Sequence, residues 1–462
     1  MSPRNKIQQI ESDHDLKKVK MEGIPVWIYI RSHFFLKLFE KKTTGVSLKS
    51  SNLISIFFSS FRGLFKWFKQ YDYWFITGSN LRRSIDGKQY NILFDFPASQ
   101  LEKALVIELP LYKHSKRNVT ASKNLTSKGI LILLETLYTK IFLRKSKIEN
   151  QNTLEELQNK YAVKIPYIPL SKKMVAQYKV MKWILKYKKP KVIFINTSYT
   201  NFGYIKAFKE KNIPVIEFQH GSIGIDHYSY NIFIDFDHSF FPDYILTFGE
   251  QEKNVFKKPN QWKVDKKIIP IGSFIIENTL KNFSPDESIN KLKKDFDYTF
   301  SVSLQETEKG YKLIKELIII AVKNKNLLFI FSPRSKTEIE LRQMFNLPKN
   351  IIFTPQLNVY EVILHSDYHI TIYSTCALEA PSLGVKNILY NIDNKAYSYY
   401  KDVLHENTTF FVNNEEEFMD VVKNNSNTEK INIRKQNNNV IANNYFDNII
   451  QFLDTEIKQK KK

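Results

Sequence analysis

Short β-rich apolar runs alternate with longer amphipathic stretches along this chain, and that alternation restricts the fold more than anything else in the sequence. It is the pattern of a parallel sheet with helices on both faces. In the first half the runs are YDYWFIT (71–77), ALVIEL (104–109), KVIFIN (191–196), PVIEF (214–218) and DYILTF (243–248). Between them, KKMVAQYKVMKWILKYKK (172–189) and NFGYIKAFKEKN (201–212) have helical periodicity, and the second, bracketed by two runs, completes a βαβ unit. A second series follows IPIGSF (269–274). It contains YTFSVSLQ (298–305), the helix KGYKLIKELIIIAVKNK (309–325), LLFIFSPR (327–334), IIFTP (351–355), DYHITIY (367–373) and KNILYNI (386–392). At 462 residues the chain is too long for one ordinary core. The expectation is an α/β protein of two Rossmann-like, doubly wound domains facing across a cleft, covering 71–248 and 249–425. A helical segment (1–70) precedes them, and a closing helix with a basic tail (426–462) follows. In open α/β sheets ligands bind at the carboxyl ends of the strands, so candidate residues are sought there.

Composition removes several function classes. Cys376 is the one cysteine, which excludes an internal disulfide framework and a cysteine-based zinc site and suits a reducing compartment. The N-terminus, MSPRNKIQQIESDHDLKK, lacks the apolar core of a secretory signal, and no apolar run reaches the length of a membrane span. A cytoplasmic protein is expected. The formal net charge of +22 would suit nucleic acid, an anionic membrane face or a phosphorylated substrate. Lysine enrichment alongside Asn and Ile, as an AT-rich genome produces, accounts for part of it. No RNP-like, zinc-finger or helix-hairpin pattern accompanies the charge, so nucleic acid is not expected as a partner. LISIFFSSFRGLFKWFK (53–69) mixes aromatic, aliphatic and basic residues with no acid, which fits a helix lying in a lipid interface at the inner membrane face, or a core helix capped by lysines. ILILLETLYTKIFLRKSK (130–147) has the same character but is more simply read as a buried helix.

In the second half, DYHITIYSTCALEAPSLGVKNILYNI places Ser374 and Thr375 at a turn between a strand and a helix that should stop at Gly384. Free N–H groups at such a helix start, with hydroxyls beside them, form a phosphate seat, although Ser and Thr are also ordinary helix caps. Glu379, four residues after Thr375, shares its helix face and suits ribose hydroxyls. Gln305 ends the first strand of this half, and Ser332-Pro333-Arg334 ends the next, where Arg334 suits phosphate oxygens.

These residues carry a family resemblance. SDYHITIYSTCALEAPSLG resembles the donor-binding region of GT-B glycosyltransferases, particularly bacterial capsule and lipopolysaccharide enzymes and the related polyol-phosphate transferases. Gln219-His220-Gly221 and PDYILTFGEQEKNVF (242–256) resemble the same group. The resemblance spans roughly 71–420 and rests on short motifs. Many relatives carry His-Pro where this chain has Ser332-Pro333, so a histidine that helps hold the donor phosphate is missing, and Arg334 is the candidate substitute. Glycosyl transfer needs a base for the acceptor hydroxyl and positive or N–H groups for the leaving phosphate. His220, at a strand end, suits the base or a donor ligand; Glu217 and Asp226 are alternative bases, and His227 lies beside them. Arg82 and Arg83, near another strand end, would meet an anionic acceptor, the alternative being solvated loop arginines.

Two Asp-Phe-Asp triplets (235–237 and 295–297) do not follow strands as a metal-holding acidic pair would, so no metal is expected; no cofactor is implied. There is no G-x-x-x-x-G-K-[ST] and no G-x-S-x-G. The resulting expectation is a metal-independent transferase moving a sugar from a nucleotide-activated donor to a growing surface polysaccharide or lipid-linked oligosaccharide. Alternatives are a polyol-phosphate transferase of the CDP-glycerol type, a nucleotide-sugar epimerase, or a non-catalytic membrane-bound scaffold of a polysaccharide assembly complex.

Overall fold

The computed structural model describes residues 2–40, 61–85, 87–110, 119–257, 268–334, 336–424 and 429–458. The chain forms two compact units. One comprises Met1–Thr247, Glu252–Ile269 and Ile449–Lys462, and the other Phe248–Gln251 and Pro270–Asn448.

The first unit is built on a seven-stranded sheet of β1 (Tyr73–Gly78), β2 (Ala104–Leu109), β3 (Leu125–Ser127), β4 (Val192–Ile195), β5 (Val215–Phe218), β6 (Tyr244–Thr247) and β7 (Ile268–Pro270), in the order β7-β6-β5-β4-β1-β2-β3. Neighbours from β6 through β3 pair in parallel. β1, β4 and β5 are buried along their whole length, as strands covered on both faces are, and they read as mainly apolar runs. Phe75 of β1 stacks on Phe194 of β4 at 4.3 Å between ring centroids.

Helices α1 (Pro3–Asp13) and α2 (Trp27–Glu40), which the sequence reading treats as a separate piece, put Ile7, Ile10, Trp27 and Phe34 into this same core. A buried ion pair joins them: Arg31 Nε donates to Glu11 Oε1 at 2.7 Å. The pair also holds the stretch after the Gln-His-Gly turn. Arg31 Nη1 donates to the Tyr228 carbonyl at 2.6 Å, and Glu11 Oε2 accepts from the Phe233 N–H at 2.8 Å.

Further along come α3 (Gly129–Ile141), α4 (Tyr167–Ile184) and α5 (Phe202–Lys209). The sequence reading begins α4 five residues late because Pro169 interrupts its pattern. In the helix Pro169 occupies the first turn, where no intrahelical N–H is needed. Residues 53–60 of the basic-aromatic segment lie outside the described residues.

The second unit has a six-stranded parallel sheet of β8 (Tyr298–Ser303), β9 (Leu327–Ser332), β10 (Ile351–Phe353), β11 (Tyr368–Thr371), β12 (Lys386–Tyr390) and β13 (Thr409–Val412), in the order β10-β9-β8-β11-β12-β13. Each sheet is thus doubly wound. The chain moves outward from the first strand, then returns to its other side, so winding reverses between β1 and β4 in one unit and between β8 and β11 in the other. The crevice at such a reversal is where open α/β sheets hold ligands.

α6 (Glu308–Lys323) follows β8 closely, and at Gly310 an added Cβ would fall 1.6 Å from the Gln305 carbonyl oxygen. Only glycine admits that approach. The helix α8 (Tyr445–Phe452) continues into a wider turn through Lys458; its residues from Ile449 belong to the first unit, where Tyr244 OH bonds Glu456. Among the described residues no helix is long and apolar enough to cross a membrane.

Candidate functional site

In the second unit, Gln305 follows β8 and Ser374-Thr375 follow β11, the two strands that flank the reversal of winding. The Gln305 side-chain oxygen is buried and has no hydrogen-bond partner among the described residues. Such an oxygen costs free energy unless something donates to it. Ser374 Oγ accepts from the Cys376 N–H at 3.3 Å and acts as the local cap, while Thr375 is exposed and makes no side-chain cap bond. The cap reading therefore accounts for Ser374 and leaves the Thr375 hydroxyl facing solvent. The helix it opens, α7 (Cys376–Glu379), is a single turn that passes into a 3-10 turn and stops at Gly384, where φ is +81°. Its short length makes the backbone dipole a weak contributor.

Glu379 Oε1 accepts from Tyr360 OH at 3.2 Å, which fixes the carboxylate beside this turn. Arg334, two residues past β9, is exposed. Beneath the turn, His369 of β11 is fully buried, with Nδ1 2.9 Å from Asn387 Oδ1 and Nε2 2.9 Å from Ser303 Oγ. Asn387 Nδ2 in turn donates to the Ala377 carbonyl at 2.7 Å, tying α7 to the sheet. The sequence reading did not single out His369. A histidine at the centre of an apolar strand run is a signal that something must satisfy both its nitrogens.

In the first unit a second cluster lies at the carboxyl ends of β4 and β5. Glu217 is wholly buried; Oε1 accepts from the Ser198 N–H at 3.1 Å and from Tyr230 OH at 2.8 Å, while Oε2 has no partner among the described residues. Burial pushes its carboxyl up from the usual range, against those two hydrogen bonds.

His220 is half-buried, and its Nδ1 is buried without a hydrogen-bond partner among the described residues. Burial pulls its pKa down, partly offset by the Asn196 backbone, so the ring is neutral at pH 7. The Tyr199 ring lies 6.3 Å from His220 and 6.2 Å from His227, and the phenol is pushed up to about 12 by burial and by Glu217. His227 is drawn down to about 4 by burial and by His220, and its Nδ1 accepts from the Ser229 N–H at 3.2 Å. Gln219 holds the turn: its N–H continues the ladder to Leu246, and its amide donates to the Gly221 carbonyl and to Glu252. The structure thus brings Glu217, His220 and His227 together around Tyr199. Asp226 stands apart, exposed, accepting from the Arg4 N–H at 3.1 Å.

The two arginines separate as well. Arg82 is buried, donating through Nε to Glu108 at 2.6 Å and through Nη1 to Asp95 at 3.2 Å and to the Gln89 carbonyl at 2.7 Å. Its remaining Nη2 donates to Ser122 at 2.9 Å. Its guanidinium is committed to holding two buried carboxylates, which corrects its reading as an acceptor-binding group. Arg83, the next residue, is exposed and, among the described residues, donates to the Asn80 and Arg82 carbonyls.

A further lysine, Lys128 at the end of β3, lies over the Tyr204 ring at 4.7 Å and donates to Asn201 at 3.0 Å. Burial lowers its pKa to about 8. In a lysine-rich chain no local pattern distinguishes it.

Among the described residues no three His, Cys, Asp or Glu side chains converge as a metal site. Of the Asp-Phe-Asp triplets, Asp237 caps a turn through Ser239, and Asp297 bonds Asn326 just before β8, at the opposite end from Gln305.

No protein-family model matches this chain, and no curated protein matches it. Solved structures do. The chain is similar to a putative UDP-N-acetylglucosamine 2-epimerase from Listeria monocytogenes, at 12% identity and a TM-score of 0.51, over 84% of this chain and 97% of that one. It is equally similar to CalG4, the calicheamicin glycosyltransferase, at 10% identity and a TM-score of 0.51, over 84% of this chain and all of that one at 100%. At these identities the likeness is one of fold: a GT-B-like pair of Rossmann-like units.

Proposed function

We propose that this protein is a glycosyltransferase. In this reading its second unit holds a nucleotide-activated sugar, and its first unit supplies the base for an acceptor hydroxyl on a growing surface polysaccharide or lipid-linked oligosaccharide at the inner membrane face. One observation carries the reading: unsatisfied or solvent-facing polar groups collect at the carboxyl ends of the strands, Gln305 and Thr375 beside the reversal of winding in one unit, Glu217 and His220 at the end of β5, the neighbour of β4, in the other. Gln305, Ser374, Thr375 and Glu379 form the donor seat, and exposed Arg334 meets the phosphates. His220 Nδ1, neutral and without a partner among the described residues, takes the proton of the acceptor hydroxyl as that oxygen bonds the sugar carbon and the nucleotide phosphate departs. Arg83 and His227 remain as acceptor-side groups.

A second reading is an epimerase acting on a nucleotide sugar. It is favoured by Glu217, a buried carboxyl with a raised pKa beside a neutral histidine, since proton removal and return need two such groups. The putative UDP-N-acetylglucosamine 2-epimerase from Listeria monocytogenes shares this fold.

The test begins with melting in the presence of CMP, CDP, UDP and GDP. A nucleotide at a hundred times its Kd stabilises by about 2.7 kcal/mol, and no stabilisation by any of them would remove the donor seat and favour a scaffold. The nucleotide that binds is then supplied as its labelled sugar, with and without a membrane extract as acceptor, alongside labelled CDP-glycerol. Transfer only with acceptor supports the glycosyltransferase, conversion of the donor alone supports the epimerase, and incorporation of glycerol phosphate supports the polyol-phosphate reading. His220→Ala should abolish turnover while the melting curve stays in place; full activity would end its assignment as the base.

A further inference from the structure

The β3 edge of the first unit carries a surface that neither strand-end cluster uses. Contrary to the reading of 130–147 as a buried helix, α3 buries one face only. Leu131 and Glu135 point inward, while Leu133, Leu137, Ile141 and Phe142 are between 46% and 66% exposed. The first three fall at i, i+4 and i+8, in one row along the helix. The 3-10 turn Leu64–Phe68 is anchored to the same edge strand: the Ser127 N–H donates to the Arg62 carbonyl at 2.8 Å, and Thr126 Oγ1 to the Gly63 carbonyl at 3.0 Å. Phe65 and Phe68 on this turn are 81% and 77% exposed. Apolar side chains gathered in this way on a surface mark an interaction site.

The charge around them selects the partner. Residues 61–71 include Arg62, Lys66 and Lys69 and no acid, and 129–147 include Lys140, Arg144, Lys145 and Lys147. The single acid in that second span, Glu135, is buried and takes a hydrogen bond from Tyr204. Glu22 reaches the rim, accepting from Ser146 Oγ at 2.6 Å. A second copy of the chain would set like charge against like. Nucleic acid would answer the charge and leave the leucines and phenylalanines without a partner. An anionic bilayer answers both, the apolar row entering the acyl boundary while Lys and Arg reach the headgroups. We propose that this face docks the protein on an anionic lipid bilayer, with α3 lying in the plane of the interface.

The full chain is sedimented with vesicles of phosphatidylcholine, alone or with phosphatidylglycerol added. The chain should bind the anionic vesicles, less tightly at raised salt, and L133S/L137S/I141S should weaken binding by on the order of a hundredfold. These side chains are exposed, so the melting curve should not move; if the triple variant misfolds, F65S/F68S tests the aromatic turn on the same β3 edge. Failure of the native chain to bind anionic vesicles, or unchanged binding by a folded variant, would overturn the proposal. So would a native self-association that the variant abolishes, which would assign the face to a second copy. No nucleotide sugar is present in this assay, so its outcome is separate from that of the transfer test.

Discussion

His369 makes the stability of the second unit depend on pH in a direction and size that can be worked out. Asn387 Nδ2 donates to the Ala377 carbonyl, so Oδ1 faces the ring and accepts from His369 Nδ1, which leaves Nε2 to accept from Ser303 Oγ. Both nitrogens are therefore satisfied by the neutral ring, and burial pulls the pKa from 6.5 down to about 4. The unfolded chain takes up its proton at the higher value. The neutral state's stability is therefore intact above about pH 6.5 and is lost as pH falls toward 4. Each unit of pH inside that window costs about 1.4 kcal/mol, so the loss is about 2 kcal/mol between pH 7 and 5 and about 3 kcal/mol by pH 4. His369→Gln removes the titration. At pH 7 the variant should be less stable by about 1–3 kcal/mol through its lost hydrogen bonds, and by pH 5 that gap should shrink by about 2 kcal/mol. Urea denaturation of both proteins at the two pH values measures it, and comparing them cancels His365, whose pKa is also lowered, mainly by burial. An equal gap at both pH values would refute the neutral buried ring.

Three further outcomes are expected. Glu11→Ala strands a buried guanidinium and should cost about 3–5 kcal/mol in urea unfolding, with faster amide exchange at Phe233, whose N–H it holds; E11L/R31M should recover part of the loss. Arg82→Ala should cost about 3–5 kcal/mol because Glu108 and Asp95 lose their cation, while Arg83→Ala should stay within about 0.5 kcal/mol and alter acceptor KM if Arg83 binds acceptor. Gly310→Ala drives a methyl into the Gln305 carbonyl and should cost about 1–3 kcal/mol, with weaker nucleotide-induced stabilisation than its loss of stability explains.

Much of the architecture was legible because its cause is local. The runs at 104–109 and 298–305 correspond to Ala104–Leu109 and Tyr298–Ser303, since short stretches rich in aliphatic, β-branched and aromatic residues suit a buried, pleated strand. Strands Leu125–Ser127 and Thr409–Val412 escaped notice, being only three and four residues long. Gly384 reads correctly as a helix stop because its left-handed backbone conformation is a property of that residue alone.

Positions at strand ends were also legible, since the order of runs and turns in the chain locates them. Gln305, Ser374 and His220 follow strands, and Glu217 lies in the last residues of one, as their sequence context implies. Which of these groups retains free hydrogen-bonding capacity was not. Arg82 and Arg83 are adjacent in sequence and alike in chemistry, yet carboxylates thirteen and twenty-six residues away bury one and leave the other in water. Asp226 and His227 part in the same way, one held at the surface by Arg4 and the other packed against Tyr199. In 130–147 the helical period was correct, but which face met the core depended on the helices beside it. Residue type and spacing thus decided the elements and their order by themselves, because backbone geometry and burial periodicity act over a few residues. The fate of each charged and apolar side chain was left to tertiary contact, because desolvation and pairing depend on partners that only folding brings near.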